Sequence, residues 1–213
     1  MKIILFLNLI INCSLALSAD SSVIKDLKEM TKSYSTTPYT HIKFRQKQIM
    51  ELLGDSKSAK GELYFSSQKL RVELKGEQNS VTLFTPGVIT SVSYDENGKP
   101  TQVLKSKPYP HPLLNLMFGN EKTWDDFEVT DLKRNSKTVL EVQLSPKDPK
   151  KLPGIDRIEI TLNKKKHEIQ KIIYWDEIGN QTTNEFTRHM KSEKVDGTKF
   201  ILVPPTGVEV QNL

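Results

Sequence analysis

The stretch Thr40–Leu52, THIKFRQKQIMEL, shows where the chain enters a β domain. Within it, Ile42 and Phe44 alternate with Lys43 and Arg45, a period of two that is typical of a strand with one buried face. A helix would instead repeat its apolar residues every three or four positions. The stretch therefore predicts a β-strand.

An amphipathic helix is predicted immediately before this strand. It begins near Ser21, and its apolar residues from Val23 to Tyr34 follow helical spacing, with charged residues on the other face. Pro38 ends the pattern, because proline lacks a backbone donor and disfavours helical conformation in the residue before it. One helix thus precedes the first strand.

Short strand patterns separated by turn residues occupy most of the remaining chain. Gly54–Ser58 and Asp95–Gly98 are the clearest turn clusters. Short strands without intervening helices predict antiparallel pairing in a barrel or strongly curved sheet, with about eleven strands in one domain. After the first strand, the predicted strands cover residues 61–66, 69–75, 80–85, 88–94, 101–105, 126–134, 138–145, 156–163, 168–176, 181–191 and 200–204.

A second, shorter helical segment is predicted near the middle of the chain. Three prolines prevent Lys107–Pro112 from serving as a central strand. The apolar segment Leu113–Phe118 then predicts one or two helical turns, which Gly119 ends. An eleven-stranded barrel is wider than one whose side chains just fill the interior. Two interpretations stay open: both helices plug the sheet as ordinary core, or they cover an apolar cavity.

An export signal is predicted over residues 1–18. It contains an apolar run, Ile3–Ile11, and the small residues Ala16 and Ser18 fit cleavage after Ser18. The run is too short for a transmembrane helix, which needs about 20 apolar residues. Cleavage would leave residues 19–213 as a single domain in an extracytoplasmic compartment.

A second interpretation of the same region concerns Cys13, the only cysteine of the chain. Ile10–Cys13 loosely resembles a bacterial lipobox, whose cysteine is acylated and becomes the first residue of the mature protein. Asn12 is unusual before such a cysteine, where Gly, Ala or Ser is normal. Cleavage after Ser18 would instead leave no cysteine and therefore no disulfide.

Composition argues against several classes of function. The chain has 31 Lys and Arg against 26 Asp and Glu, a net charge of +5, and these charges are dispersed along the chain. Nucleic-acid binding is not expected, since it requires basic residues on one face with interleaved aromatics. A weak attraction to anionic membrane surfaces stays open. The four histidines lie in different segments without metal-ligand spacing, and hydrolase, phosphate-loop and metalloprotease motifs are absent. We therefore expect no enzyme activity, no metal and no cofactor.

Four short motifs follow one another along the chain. Phe44–Lys47 reads FRQK and Gly61–Phe65 reads GELYF, while Leu144–Lys147 reads LSPK and Val203–Val208 reads VPPTGV. In this order and spacing they resemble the Phe-x-Gln-Lys, Gly-x-Leu-aromatic, Leu-x-Pro-Lys and Thr-Pro-Pro-x-Gly-Val motifs of LolA, the family of periplasmic outer-membrane lipoprotein carriers. The resemblance covers nearly the whole chain.

This resemblance implies a mainly β fold, an incomplete antiparallel barrel of about eleven strands covered by a small helical lid, with an apolar cavity between. It also implies a monomeric periplasmic carrier. Such a carrier accepts a triacylated lipoprotein from an inner-membrane ABC transporter and passes it to an outer-membrane acceptor. The alternatives are a lipoprotein sensor and a lipidated outer-membrane acceptor of the same fold.

The implied cavity needs an apolar lining, and strand alternation selects the residues that should face it. Ordinary core packing would explain each of these residues equally well. From the strands and then the lid, the predicted lining residues are Ile42, Phe44, Leu63, Phe65, Leu70, Val72, Leu83, Val92, Leu113, Leu116, Met117 and Phe118.

One position departs from the family pattern after the second strand. The family usually has an arginine there that helps to hold the lid shut, and this chain has Ser67 instead. Arg71, a few residues later, is the candidate substitute for the lid latch.

Overall fold

The structure is a computed structural model that describes the backbone of residues 7–66, 69–107 and 121–213, and the side chains of these ranges from residue 21 onward. Ser67 and the predicted helical segment 113–118 lie outside the described residues. No helix within the described ranges is long and apolar enough to cross a membrane.

One long helix and twelve strands form the described chain. Helix α1 covers Leu7–Thr36, which confirms the predicted helix but begins earlier. It therefore runs through Ser18, where cleavage stays a prediction. The strands are β1 Tyr39–Met50, β2 Asp55–Ser66, β3 Lys69–Gly76, β4 Asn79–Phe84, β5 Ile89–Tyr94, β6 Pro100–Ser106, β7 Phe127–Arg134, β8 Val139–Pro146, β9 Arg157–Asn163, β10 Glu168–Trp175, β11 Gln181–Ser192 and β12 Val210–Asn212.

The strands form a single sheet in the order β12-β6-β5-β4-β3-β2-β1-β11-β10-β9-β8-β7. Neighbouring strands pair antiparallel, except that β12 pairs parallel with β6. Strands β12 and β7 form two separate edges, so the sheet stays open. This topology confirms the predicted mainly β, incomplete antiparallel barrel.

Two predicted elements, a turn and the last strand, are wrong. Gly54–Ser58 is not a turn, because the chain reverses at the 3₁₀ turn Glu51–Leu53 and β2 already begins at Asp55. The polar residues at the start of β2 pair with the end of β1 and are exposed, so they carry no apolar alternation that would mark a strand.

The predicted last strand, residues 200–204, is also wrong. This segment contains the end of a 3₁₀ turn, Gly197–Phe200, followed by irregular backbone, and the final strand is β12. Pro204 and Pro205 cannot donate backbone hydrogen bonds to a ladder. The pairing of β12 with β6 involves residues about a hundred positions apart, and no local turn signal announces it.

Helix α1 packs against one face of the sheet, which we call the helix face. Its buried residues Val23, Leu27, Met30 and Tyr34 are at most 2% exposed and join one apolar cluster with the strands. Burying each such aliphatic side chain stabilises the fold by about 1.5–3 kcal/mol. The strand residues of this cluster are Ile42, Phe44, Leu63, Phe65, Leu70, Phe127, Leu140, Val142, Leu144, Ile158, Ile160, Leu162, Ile169 and Ile172.

Trp124 fastens α1 to the rest of the domain. It lies in the 3₁₀ turn Glu121–Asp126 and is fully buried. Its indole Nε1–H donates a hydrogen bond to Thr31 Oγ1 in α1 at 2.8 Å. Beside it, the Lys28 ammonium lies 2.6 Å from the Asp125 carboxylate. At this turn, the helix is thus held by a buried polar contact and a more exposed ion pair, in addition to its apolar stripe.

The opposite face of the sheet is partly covered by residues 193–209, the C-terminal strap. This segment connects β11 to β12, and in the sheet order it must therefore cross β1 to β6. Phe200 and Leu202 of the strap pack against Tyr64 and Leu83. We call this side the strap face.

Candidate lipid-binding face

Six of the eight predicted lining residues in the strands lie together on the helix face. In the register of the sheet, Ile42 is opposite Leu63, which is opposite Val72. Phe65 is likewise opposite Leu70. Phe44, two residues from Ile42, completes the six, because residues two apart in a strand share a face.

Phe44 and Gly61 form a cross-strand pair on this face. The Phe44 ring occupies the space that a Cβ atom at residue 61 would take. Only glycine can therefore lie opposite this ring without displacing it. The pairing explains physically why the FRQK and GELYF motifs belong together: one supplies the ring and the other the gap beneath it.

The expectation that Leu83 and Val92 share this face is wrong. Leu83 is opposite Arg71, whose other cross-strand partner is Tyr64, and all three point to the strap face. Val92 is opposite Val81, two residues from Leu83, and so faces the same way. Both faces of this part of the sheet bury apolar side chains, so alternation alone could not tell which face was which.

Sequence reasoning missed three apolar residues that directly adjoin these six on the helix face. Leu74 lies opposite Gly61, Phe84 opposite Leu70, and Phe186 opposite Phe44. With Val72 they are partly buried against the main cluster rather than sealed within it. Their signal was present in the alternation of β3, β4 and β11, but only the register joins it to the predicted residues. An apolar surface with accessible side chains results.

Arg71, the candidate lid latch, points to the strap face. Its Nε–H donates to the Glu73 carboxylate at 2.7 Å, and its Nη1 donates to the carbonyls of Lys199 and Ile201 at 3.3 and 3.2 Å. These bonds hold the C-terminal strap rather than a helix. That Arg71 or Ser67 also contributes to a lid latch stays a prediction.

A polar network continues from Arg71 beneath the strap. Glu62 accepts a hydrogen bond from Tyr64 Oη at 2.6 Å and is 2.7 Å from His41 Nε2. Burial raises the pKa of Glu62, but the hydrogen bonds from Tyr64 and His41 outweigh it and lower the pKa to about 2. The Lys199 ammonium lies 4.4 Å from the centre of the Tyr64 ring. The carboxylate therefore stays charged and fixed at neutral pH.

His189 of β11 is a titratable group in contact with helix α1. Its Nδ1 lies 3.3 Å from Tyr34 Oη, and that hydroxyl accepts a hydrogen bond from the backbone N–H of Ile169 at 3.3 Å. Burial lowers the pKa of His189; Lys191 and Lys166 also lower it, while Glu168 opposes them. The neutral imidazole is consequently the form that the folded protein favours.

Acidification is expected to destabilise the fold through His189. Its folded-state pKa lies below the ordinary value of 6.5, so below that pH the unfolded chain binds more protons. The free energy of unfolding should fall by at most about 1.4 kcal/mol per pH unit as the pH drops below 6.5. Urea unfolding of His189→Gln should show a smaller slope over the range of about pH 5–7.

The matched control is His167→Asn. His167 is exposed in a turn with φ of 52°, a conformation that asparagine tolerates. This control should keep the full pH slope. An unchanged slope in His189→Gln would contradict the assignment.

No group of three or more His, Cys, Asp or Glu residues that could hold a metal ion occurs in the described part of the chain. Asp125 and Asp126, adjacent carboxylates after Trp124, approach lysines instead: Lys28 at 2.6 Å and Lys151 at 4.0 Å. The helix face presents apolar side chains, so the interaction that it offers a ligand is the burial of apolar groups.

Comparison with known proteins identifies a family and structural relatives of this chain. The family model described as outer membrane lipoprotein carrier protein LolA matches residues 35–202. An uncharacterized conserved protein from Thermus thermophilus is similar in structure, with a TM-score of 0.54, 11% identity, and coverage of 89% of this chain and 98% of that chain. No curated protein sequence matches this chain.

Two further solved structures are more distant. A LolA superfamily protein from Nitrosomonas europaea has a TM-score of 0.41 and 7% identity, covering 86% of this chain and 97% of that chain. A putative outer membrane lipoprotein-sorting protein domain from Vibrio parahaemolyticus has a TM-score of 0.41 and 11% identity, covering 82% and 94%. The family model spans most of the sheet and the cross-strand pair Phe44–Gly61. The chain therefore belongs to the outer membrane lipoprotein carrier protein LolA family.

Proposed function

We propose that this protein is a periplasmic carrier that binds the acyl chains of lipoproteins on its helix face. It would receive them from an inner-membrane ABC transporter and deliver them to the outer membrane, to an acceptor if one is present. The observation that carries this proposal is the accessible apolar surface formed by Val72, Leu74, Phe84 and Phe186 beside the sealed core. Membership of the LolA family supports the same class of ligand.

Acyl chains need such a surface because exposing them to water costs about 0.8 kcal/mol per methylene group. Delivery nevertheless requires reversible binding, since no local energy source drives release. A rigid sheet with side chains that are only partly buried meets both needs, because the chains can be covered without being enclosed in a closed core. The protein would act as a monomer, without catalysis, cofactor or nucleic acid.

The proposed lining combines strand and lid residues. On the helix face these are Ile42, Phe44, Leu63, Phe65, Leu70 and Val72, and we add Leu74, Phe84 and Phe186 because they share that face. The proposed lid residues Leu113, Leu116, Met117 and Phe118 lie outside the described residues. Leu83 and Val92 are left out, because they point to the strap face.

The double substitution Val72→Ser/Phe84→Ser tests this assignment. It removes accessible apolar surface without opening the sealed core, so affinity for a triacylated lipoprotein should fall at least about tenfold, which corresponds to about 1.4 kcal/mol. Release of lipoproteins from inner-membrane vesicles should weaken in parallel. Binding is measured by titration with a fluorescently labelled triacylated lipoprotein.

Val81→Ser is the matched control, since Val81 is also half-buried in β4 but points to the strap face. It should bind like the unmodified protein. A protein that binds no triacylated lipoprotein, or a control as impaired as the double variant, would overturn the proposal. Intact mass of the exported protein distinguishes a carrier cleaved after Ser18 from a lipidated acceptor acylated at Cys13.

A further inference from the structure

A groove lies on the strap face, away from the strap contacts at Tyr64. It has a volume of about 630 Å³ and continues into a second hollow of about 390 Å³. The first volume falls within the range of about 300–1,000 Å³ that is typical of ligand pockets. Arg45, Lys60 and Lys75 line both hollows. We call the two hollows together the basic groove. Lys47 and Glu185 line the first hollow, and Glu62 and Glu73 line the second.

Three cations lie in one row across three neighbouring strands of this groove. Arg45 of β1 is directly opposite Lys60 of β2, which is directly opposite Lys75 of β3. All three side chains are exposed. Side chains at directly opposite positions are about 4.5–5.5 Å apart at Cβ, and like charges there destabilise a sheet. The row therefore costs stability unless an anion neutralises it.

The carboxylates around the groove do not neutralise the row. Glu62 approaches His41 and Lys43, and Glu73 approaches Arg71 and Lys199. In the described part of the chain, the row and the neighbouring Lys47 take part in no ion pair within 4.0 Å.

Glu185 is the remaining carboxylate of the lining. This residue of β11 lies opposite Arg45 of β1 on one side and opposite Lys171 of β10 on the other. Lys171 is paired with Glu159 at 3.8 Å, so the three cations of the row face Glu185 alone along this line. The excess positive charge is concentrated on β1 to β3, where the groove opens.

We propose that the basic groove binds the phosphate groups of anionic phospholipids, so that the strap face docks on an anionic membrane surface. Arginine pairs with phosphate through two parallel N–H bonds, and lysine adds a point charge. Each basic side chain near an anionic membrane contributes about 1 kcal/mol of attraction. Long, exposed cations on three neighbouring strands can contact several phosphates of a membrane surface at once, and the groove presents no exposed aromatic platform for nucleic acid.

This site is independent of the proposed acyl-chain binding, because it lies on the other face of the sheet. Docking through the strap face leaves the helix face uncovered. A carrier could thus rest on a membrane while its acyl-binding surface stays accessible to a cargo. The two proposals are tested by different ligands, so failure of one does not imply failure of the other.

The test is co-sedimentation of the full chain with lipid vesicles. Vesicles of phosphatidylcholine alone are compared with vesicles of phosphatidylglycerol and phosphatidylcholine in equal parts. The variant Arg45→Gln/Lys60→Gln/Lys75→Gln should bind the anionic vesicles at least about tenfold more weakly than the unmodified chain, and Lys60→Gln alone about fivefold more weakly. All proteins share the same N-terminal segment, and the binding of each variant to phosphatidylcholine vesicles alone measures the lipid affinity of that segment.

The control variant Lys99→Gln/Lys137→Gln/Lys165→Gln removes the same charge from exposed turn lysines. It should bind nearly like the unmodified chain. An equal loss of vesicle affinity in both triple variants would show general charge attraction and overturn the assignment of the basic groove as the binding site. So would the absence of any preference for anionic vesicles.

Inorganic phosphate, added at constant ionic strength, separates the two sources of phosphate. If membrane phospholipid is the ligand, free phosphate should displace the protein only weakly. Saturable calorimetric binding of free phosphate that the groove variant alone loses, without any vesicle binding, would overturn the membrane assignment. The thermal unfolding temperature of the triple groove variant should be unchanged or higher, because the row of like charges is gone. If that temperature is lower, vesicle binding is compared with the single variant Lys60→Gln instead.

Discussion

Replacing Trp124 with alanine is expected to lower the free energy of unfolding by about 3–5 kcal/mol. The indole is fully buried, and its ring centre lies 6.2 Å from that of Phe127. Truncation therefore leaves a large cavity between α1 and the sheet, and it also removes the 2.8 Å hydrogen bond to Thr31. Because the turn that holds Trp124 contacts α1 directly, the helix should loosen first.

Urea unfolding followed by circular dichroism measures this effect. The matched control is Trp175→Ala, which removes the second of the two tryptophans. Trp175 is only half-buried, with the Arg157 guanidinium stacked at 4.2 Å from its ring, so its truncation should cost distinctly less. Equal losses from the two substitutions would show that Trp124 is not the anchor of α1.

Replacing Gly61 with alanine is expected to cost about 1–3 kcal/mol, although it adds a single methyl group. That methyl group would overlap the ring of Phe44, which is itself only 6% exposed and packed in the main cluster. The ring can move away only by displacing buried neighbours. The cost thus arises from overpacking rather than from the change in backbone freedom.

A double-mutant cycle separates these two causes. Phe44→Leu should make room for the new methyl group, so Gly61→Ala should cost less in that background than in the native one. Gly197→Ala is the control, because a methyl group at that position would meet no atom within 4 Å and its φ is not positive. It should change the free energy of unfolding by less than about 0.5 kcal/mol. Equal costs of Gly61→Ala in both backgrounds would contradict the clash.

The two faces of the sheet carry different kinds of accessible side chain. One face is buried by α1 over part of its width and offers accessible apolar side chains at Val72 and Phe84. The other face is crossed by the C-terminal strap, and beyond the strap it carries the row Arg45–Lys60–Lys75. Accessible apolar side chains and the row of cations therefore lie on opposite sides of the sheet.

Most strands could be predicted from the sequence because their signals are local. Strands β3 to β11 were placed within one or two residues, since turn residues such as Asp95–Gly98 bracket short alternating segments. The prediction failed where pairing, not local pattern, creates the strand. The polar start of β2 is extended because β1 lies beside it, and β12 exists because β6 offers a free edge.

The candidate site was predictable only in part for a related reason. Alternation correctly grouped Ile42 with Phe44, and Leu63 with Phe65, within their own strands. It could not assign β4 and β5, because those strands bury apolar residues on both sides. Leu83 and Val92 consequently appeared as lining residues, while Phe84, which points to the helix face, was missed.

By itself, the sequence determined the β class, the single preceding helix and the motifs of the LolA family, because these depend on residues close together in the chain. Only the tertiary structure decided which faces those residues share. Phe44 and Gly61 become one contact, and three cations fifteen positions apart, Arg45, Lys60 and Lys75, become one row. Charges that are dispersed along the chain are concentrated by strand register, because a ladder brings together residues that no local pattern relates.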